Sequence, residues 1–328
     1  MSFSSDALTD LALSRVSLDR SGLERREEHL IERLVGDPRT RVLELRGDRA
    51  PVVAGPRLWL RAPEDADAAR LTVFLGRDVS RTPYLGVVGP GIPDESGHTV
   101  ATMDGVTVEW QSLRRAGGEL SDLDAGLFTT MLALSNWHAT HTHCPRCGTP
   151  TEQAQGGWLR VCPADGSEHY PRTDPAVIMS VLDEDDRLLL GRGPGWPEGR
   201  FSVLAGFVEP GESFEAAVAR EVEEEVGIVV TDVRYLGDQP WPFPSSVMIG
   251  YTSRATTPSI DLDPHELAEA RWVSRDEYRA ALRSGELKPP SGISIAKRLI
   301  EHWLGSSVEA VLDGRAEDGR SAQGAPTR

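Results

Sequence analysis

Between Gly206 and Ile228 the chain reads GFVEPGESFEAAVAREVEEEVGI, and no other stretch constrains its fold as much. The second part predicts a helix. Ser213 suits an N-cap, and Glu215 falls in the first turn, where the helix dipole favours a carboxylate. Ala216, Ala217 and Ala219 favour helix, Phe214, Val218, Val222 and Val226 can form an apolar stripe, and Gly227 can end it in the left-handed conformation. A helix held to a core by that stripe must also carry Glu221, Glu223, Glu224 and Glu225. Of these, Glu221, Glu224 and Glu225 stand at i, i+3 and i+4 and share a face. Like charges at that spacing destabilise one another unless something positive lies among them. A hard divalent cation, Mg²⁺ or Mn²⁺, fits because it takes carboxylate oxygen. A solvated acidic surface helix is the plainer alternative, but it explains neither the preceding glycine-rich loop nor the spacing. The stretch reads as a metal-assisted active site.

A second signal, independent of the glutamates, is cysteine. Only three occur in 328 residues, too few and too clustered for a secreted disulfide framework. Cys144 and Cys147 form CPRC with Gly148 following, and Cys162 begins CPAD. Two such turns about fifteen residues apart resemble a zinc ribbon, with Asp165 where a fourth cysteine would stand. A carboxylate oxygen is an acceptable ligand for Zn²⁺, and His141, His143 and His169 are nearby competitors. The alternatives are a ribbon that has lost its metal, or ordinary buried cysteines. A closed tetrahedral site would stabilise the fold rather than do chemistry.

Hydrophobic residues make up 39% of the chain and its mean hydropathy is −0.32, as in ordinary globular proteins. No apolar run is long enough to span a membrane, the N-terminus lacks the plan of a secretory signal, and a cytoplasmic location is the default expectation. The net charge of −16 argues against bulk electrostatic binding to nucleic acid or anionic membrane. It leaves room for one locally basic or metal-lined site for a phosphate ester.

Before about residue 140, short β-rich runs alternate with Pro, Gly and Asp turns, and a helix is predicted from Asp122 to Ala139. Beyond the cysteines, Ala176–Leu182 reads as a buried strand, Arg187–Leu190 as its hairpin partner and Phe201–Leu204 as a strand before the glutamate loop. Further strands are predicted at 229–230, 233–236, 247–251 and 270–273, and a last helix near Ile293–Trp303. The resulting organisation is an N-terminal α+β domain over 1–140, a zinc ribbon over 141–172, a catalytic domain over 173–305 and a disordered tail over 306–328. A second unusual segment, Asp238-Gln-Pro-Trp-Pro-Phe-Pro-Ser-Ser246, follows the glutamates. Its alternating prolines predict an extended, rigid wall able to stack a planar ring and hydrogen-bond an amide or ribose.

Spacing and wall together identify a family resemblance. Gly206, five residues, Glu212, seven residues, then Arg220-Glu221-Val222-x-Glu224-Glu225-x-Gly227-Ile228 resembles the complete Nudix hydrolase signature. The segment from Gln239 to Ser246, with the upstream cysteine pairs, resembles the NADH pyrophosphatase branch of that family, except that Asp238 replaces the branch's serine. The resemblance is strong over about residues 120–304 and loose before them. It implies an α+β fold: a Nudix α/β/α sandwich with a mixed sheet, preceded by a zinc ribbon and an N-terminal α+β domain. It also implies a homodimer that hydrolyses NADH or NAD⁺ to AMP and nicotinamide mononucleotide, and that removes NAD caps from RNA 5′ ends by the same cleavage.

Carried onto this chain, the Mg²⁺ or Mn²⁺ ligands fall on Glu221, Glu224, Glu225 and Glu266, with the carbonyl of Ala205. The implied catalytic residues are Glu221, Glu224 and Glu225, with Glu225 the most plausible base. The implied substrate contacts are Gln239, Pro240, Trp241, Pro242, Phe243, Pro244, Ser245 and Ser246, with Tyr170, Phe207, Ala296 and, from the N-terminal part, Arg114. The ribbon ligands are Cys144, Cys147, Cys162 and Asp165. Arg220 is expected to anchor the loop by pairing with Glu212. Two competing readings are a Nudix hydrolase acting on another nucleoside diphosphate derivative such as ADP-ribose, and an inactive zinc-ribbon regulator that binds nucleic acid.

Overall fold

The β-rich runs ahead of the cysteines fold as two small sheets in the computed structural model, which describes residues 7–15, 17–91 and 99–315. The chain divides into two compact units, Asp10–Pro175 with Asp238–Met248, and Met1–Thr9 with Ala176–Gly237 and Ile249–Arg328. The Trp-Pro-Phe-Pro segment thus belongs to the unit that holds the N-terminal sheets and the ribbon, although it is encoded inside the other unit's sequence.

In the first unit, helix α1 (Leu30–Val35) precedes strands β1 (Arg41–Leu45), β2 (Arg49–Val53), β3 (Arg57–Leu58), β4 (Thr72–Arg77), β5 (Pro83–Val88), β6 (Thr99–Met103) and β7 (Val106–Ser112). One sheet has the order β1–β5–β4, with β1 parallel to β5, and the other has the order β3–β2–β7–β6. Leu30 and Leu34 of α1 share a core with Val42, Phe74, Leu85 and Val87. A short helix α2 (Leu113–Ala116) leads to α3 (Asp122–Thr140), capped by the Ser121 hydroxyl, which accepts from the Asp124 N–H. Close approach of α3 depends on Gly86 of β5, where a Cβ would come within 2.2 Å of the Met131 sulfur.

Ribbon strands β8 (Glu152–Ala154), β9 (Leu159–Val161) and β10 (Glu168–His169) follow in an antiparallel sheet. His138 at the end of α3 ties the helix to them. Its Nε2 lies 2.8 Å from the Gly157 carbonyl and its Nδ1 3.0 Å from Arg160 Nη1. Burial pushes this imidazole down to about 4, so at neutral pH it is uncharged and can accept from Arg160 while donating to Gly157.

The second unit is a six-stranded sheet with helices. Its strands are β11 (Asp174–Leu182), β12 (Leu188–Arg192), β13 (Leu204–Phe207), β14 (Val230–Trp241), β15 (Ser246–Ala255) and β16 (Glu269–Val273). Their order is β14–β15–β11–β12–β16, with β13 paired to β11. Helices α4 (Phe214–Val226), α5 (Arg275–Ser284), α6 (Ile295–Leu304) and α7 (Val308–Leu312) complete it. The architecture is α+β with open mixed sheets, as the sequence predicts.

Three local expectations change. The strand before the glutamate loop begins at Leu204 rather than Phe201, because its register pairs Leu204–Phe207 with Ala176–Met179. Helix α5 was not expected, although its signal is present: Ser274 and Glu277 form a capping box, and Gly285 ends it in the left-handed conformation. The segment from Ser306, expected to be disordered, contains α7. Val308 and Val311 at i and i+3 are buried, and the Glu301 carboxylate accepts the Val308 N–H at 2.9 Å. The remainder of that segment, from residue 316, lies outside the described residues.

A buried ion-pair triad braces β1 in the first unit. Arg61 donates to both carboxylate oxygens of Asp67 at 2.7 Å and to Glu44 at 3.2 Å, and all three side chains are buried. Arg61→Leu removes the buried cation that Glu44 and Asp67 share, leaving Glu44 only Arg46 at 2.7 Å and Asp67 only Arg70 at 3.6 Å, and is expected to cost about 3 kcal/mol of stability in urea melts. A loss within the ±0.5 kcal/mol of an ordinary surface change would show that the triad does not hold this unit together.

Candidate active site

Helix α4 forms as its residues require. Ser213 Oγ accepts the Ala216 N–H at 3.2 Å, and Gly227 closes the helix at φ 67° with its N–H on the Glu223 carbonyl. Val218, Val222 and Val226 are fully buried, whereas Phe214 is exposed and lies outside the stripe. Burying those valines turns Glu221 and Glu225 inward with them. Glu224, expected on the same face, stays at the rim with 56% of its side chain exposed.

Glu266 reaches the pair through the end of the helix. The last carbonyls of α4 lack intrahelical partners. Val226 O accepts from the Asp261 N–H at 2.9 Å and Glu225 O from the Asp263 N–H at 3.1 Å, and the Glu266 N–H closes a turn onto Asp263 O at 3.2 Å. Carboxylate oxygens of Glu221, Glu225 and Glu266 all lie within 4.8 Å of one another. Gly206 is required beside them, because a Cβ there would sit 1.8 Å from the Glu221 carboxyl carbon. Ala205, whose carbonyl is an implied ligand, lies next to it on β13 opposite Ile178.

Arg220 organises the loop. Its guanidinium donates to Glu212 at 2.6 and 3.1 Å, to Phe207 O at 3.0 Å, and to Glu221 and Glu224 at 2.9 Å each. The expected pairing with Glu212 is present, and Glu212 in turn accepts the Glu209 N–H at 2.7 Å. Arg220 compensates Glu221 but makes no bond to Glu225. Burial, reinforced by Glu221 and Glu266, pushes Glu225 up to about 8. Its Oε2 is buried with no hydrogen-bond partner among the described residues. A buried carboxylate oxygen left bare is costly, and a divalent cation or a proton on Glu225 would relieve the repulsion among the three carboxylates. The donor set is all oxygen, which suits Mg²⁺ or Mn²⁺.

The Trp-Pro-Phe-Pro segment is not extended throughout, as expected, but half strand and half turn. β14 runs to Trp241, the chain reverses over residues 242–245, and β15 resumes at Ser246. Prolines offer no N–H to a ladder, so the carbonyls must find other donors. Asn136 of α3 supplies them, its Nδ2 donating to Pro242 O at 3.1 Å and Pro244 O at 3.0 Å. Sequence reading missed Asn136, whose only signal was a polar amide in an apolar helix. The Arg114 guanidinium lies 3.8 Å from the Phe243 ring centroid and 5.1 Å from that of Trp241, and the two rings meet edge-on at 4.9 Å. Ser245 Oγ donates to Asp174 at 2.8 Å.

Two expected contacts point inward. Gln239 is fully buried, its Oε1 accepting the Leu13 N–H at 3.3 Å, and Ala296 is buried in the first turn of α6. By contrast, the rings of Phe207 and Tyr170 are 62% and 63% exposed, and the Tyr170 hydroxyl donates to Glu168.

In the ribbon, the two cysteine turns are copies of one another. Gly148 donates to Cys144 O and Gly166 to Cys162 O, both at 2.9 Å, and both glycines have positive φ, 75° and 71°. Asp165 therefore occupies in the second turn the place Cys147 occupies in the first. The sulfurs of Cys144, Cys147 and Cys162 and an Asp165 oxygen lie within 4.8 Å of one another, and His141, His143 and His169 are outside this group. Ser167 donates to Asp165 through both its N–H and its hydroxyl and holds the carboxylate down to about 2. Three thiols and an ionised carboxylate suit Zn²⁺.

Comparison with known proteins agrees with both centres. The NUDIX domain matches residues 172–290, and the NADH pyrophosphatase zinc ribbon domain matches residues 139–170. The NAD-capped RNA hydrolase NudC of Mycobacterium bovis is 41% identical over 302 residues, covering 89% of this chain and 94% of that protein. Its counterpart in Mycobacterium tuberculosis is 40% identical with the same coverage. The human NAD-capped RNA hydrolase NUDT12 is 42% identical over 199 residues, 57% of this chain and 43% of its own length. The chain belongs to the Nudix hydrolases, in the branch that carries the NADH pyrophosphatase zinc ribbon.

Proposed function

We propose that this protein hydrolyses the pyrophosphate of NADH and NAD⁺ to AMP and nicotinamide mononucleotide, and removes NAD caps from RNA 5′ ends by the same cleavage. The observation that carries the reading is the convergence of buried Glu221 and Glu225 with exposed Glu266, with a bare oxygen on Glu225. The names of the relatives and the Trp-Pro-Phe-Pro segment support the substrate. A bound Mg²⁺ or Mn²⁺, held by these three glutamates with Glu224 at the rim and the Ala205 carbonyl, would neutralise pyrophosphate charge and make water a better nucleophile. Glu225 accepts the proton of the attacking water through Oε2. Arg220 keeps the loop and Glu221 in place. The exposed rings of Phe207 and Tyr170 are suited to stacking on a base, and Trp241 and Phe243 shape the recognition surface. Zn²⁺ on Cys144, Cys147, Cys162 and Asp165 is structural. The working form is a homodimer, for which the branch resemblance is the support.

Incubation with Mg²⁺ or Mn²⁺ and NADH, NAD⁺, ADP-ribose or NAD-capped RNA, with products resolved by mass, tests the reading directly. AMP with reduced nicotinamide mononucleotide is expected from NADH. Intact NADH beside cleaved ADP-ribose would overturn it. Glu225→Gln is expected to lower kcat by about 10²–10⁴ with an unchanged circular dichroism spectrum, and turnover at the wild-type rate would remove Glu225 from the mechanism. Trp241→Ala should reduce the preference for NADH over ADP-ribose about tenfold, whereas an equal fall on both substrates would make the segment purely structural.

The metal-free protein has a pH signature. Because burial raises Glu225 from 4.5 to about 8, the folded state keeps a proton that the unfolded chain has lost. That stabilisation is complete below about 4.5 and disappears as pH rises through about 8. Between about pH 6 and pH 8, stability measured in a chelator of divalent cations should fall by about 2 kcal/mol more in wild type than in Glu225→Gln. Parallel profiles would show that Glu225 is not the titrating group. For the ribbon, Asp165→Ala should lose bound zinc by atomic absorption while Asp165→Cys retains it. Full zinc in the alanine variant would exclude Asp165 as a ligand.

A further inference from the structure

Ahead of α1, the first unit begins with a short irregular strap, Asp10–Arg15, that the proposed reaction does not use. Leu11 and Leu13 are buried, and one turn closes between them and Ser14, whose N–H donates to Leu11 O at 3.0 Å. A buried backbone N–H outside any ladder must find an acceptor elsewhere. The Leu13 N–H finds the buried amide of Gln239, 3.3 Å from its Oε1, and the Ser14 hydroxyl donates to Asp238 O at 2.8 Å. These are the two residues that open the Trp-Pro-Phe-Pro segment, so the strap grips the turn at its root.

Arg15 holds the strap in turn. Its Nε donates to Ala12 O at 2.9 Å, its Nη1 to Leu120 O at 2.9 Å and its Nη2 to Gly117 O at 2.7 Å. Gly117 and Leu120 lie in the connection between α2 and α3, where carbonyls at a helix end lack intrahelical partners and a planar fork can meet two at once. Leu13 packs against the same point, since a Cβ on Gly117 would come within 3.1 Å of Leu13 Cδ2. The one carboxylate near Arg15 is Asp122 at 3.5 Å, itself 65% exposed, so the carbonyl bonds and not an ion pair do the holding. Helix α2 carries Arg114, the guanidinium that lies over Phe243 and Trp241. Arg15 therefore stands where both supports of the turn meet.

We propose that Arg15 is a positioning residue for the Trp-Pro-Phe-Pro turn, locking the strap to the α2–α3 connection and so fixing Trp241 and Phe243 through Gln239 on one side and Arg114 on the other. Gln239 is then a latch for the strap and not a group that touches substrate. Trp241 and Pro242 line a cavity of about 220 Å³ with Trp158, Arg20 and Arg172, so a shift of the turn moves one wall of it. Trp158 already carries the Arg25 guanidinium 3.6 Å from its ring centroid and is tied by its indole N–H to Phe74 O at 2.7 Å, which leaves Trp241 as the indole that Arg15 governs. The effect on substrate choice rests on the reading above, in which this turn favours NADH; the effect on the turn itself does not.

The test reads the turn first. With fluorotryptophan replacing the eight tryptophans, the Trp241 fluorine resonance is assigned by its absence in Trp241→Phe. Arg15→Ala should shift or broaden that resonance, as should Arg114→Ala, and Arg15→Lys, which keeps the charge without the fork, should do so less. Arg61→Leu weakens the same unit through the Glu44–Asp67 triad and should leave the resonance in place. No change in Arg15→Ala, or an equal change in Arg61→Leu, overturns the assignment. In turnover, Arg15→Ala should lower the preference for NADH over ADP-ribose about threefold to tenfold, through KM and not kcat. In a Trp241→Ala background the same substitution should cost no further preference, because both act through one turn. Additive losses would show that Arg15 works by another route and overturn the proposal. If wild type has no preference for NADH, the proposed function fails, whereas the Trp241 resonance still decides whether Arg15 sets the turn.

Discussion

One guanidinium sets the electrostatics of the glutamate centre. Arg220 stands in a loop crowded with carboxylates and bonds Glu212, Glu221, Glu224 and a backbone carbonyl at once. The loop takes a defined shape because its charges converge on a rigid, planar donor. The same convergence leaves Glu225 out. Arg220 is fully used, Glu225 is the most buried of the gathered glutamates, and no other cation among the described residues bonds it. The fold therefore stabilises the loop and leaves one carboxylate deficient. That deficiency is what a divalent cation can remove, and it gives cation binding a stabilising component as well as a chemical one.

The glutamates and the Trp-Pro-Phe-Pro turn fall in different units of the chain. Carboxylates sit on a helix pinned by three buried valines, whereas the Trp-Pro-Phe-Pro turn is held by Asn136 and Arg114 from the unit that contains the N-terminal sheets. The prolines explain why such help is needed. They remove the donors that would bind this hairpin tip into a ladder, so its conformation comes from a side-chain amide and a stacked guanidinium instead. An N-terminal half without any recognisable chemical motif thereby has a structural part, to hold this turn.

Much of this was legible in the sequence, and the failures share a cause. Ser213, Gly227 and the valine stripe place α4 correctly because capping and periodicity are local properties. Cysteine turns are legible for the same reason, each closed by its own glycine. The exposure of Glu224 and the burial of Gln239 were not legible, because helical spacing or a motif says which residues are near, not which way burial turns them. A side chain's direction depends on what packs against its neighbours, and Leu13, 226 residues away, was invisible from Gln239. Asn136 was missed for the same reason. Helix α7 was missed for the opposite one, since a polar composition outweighed two valines that a small contact with α5 was enough to bury.

A net charge of −16 poses a physical problem for any phosphate-bearing substrate, because each phosphate brings a like charge. At physiological ionic strength the Debye length is about 8 Å, so most of the net charge of −16 is screened from any one point on the surface. What an approaching strand feels is local. Carboxylates that pair with arginines, as in the Glu44–Arg61–Asp67 triad, add little field beyond their own neighbourhood. A cavity lined by two arginines and two indoles can then be attractive on a protein that is repulsive on average. Bulk charge consequently excludes indiscriminate binding to nucleic acid while leaving recognition of a particular RNA end possible, because unproductive encounters elsewhere on the surface are disfavoured.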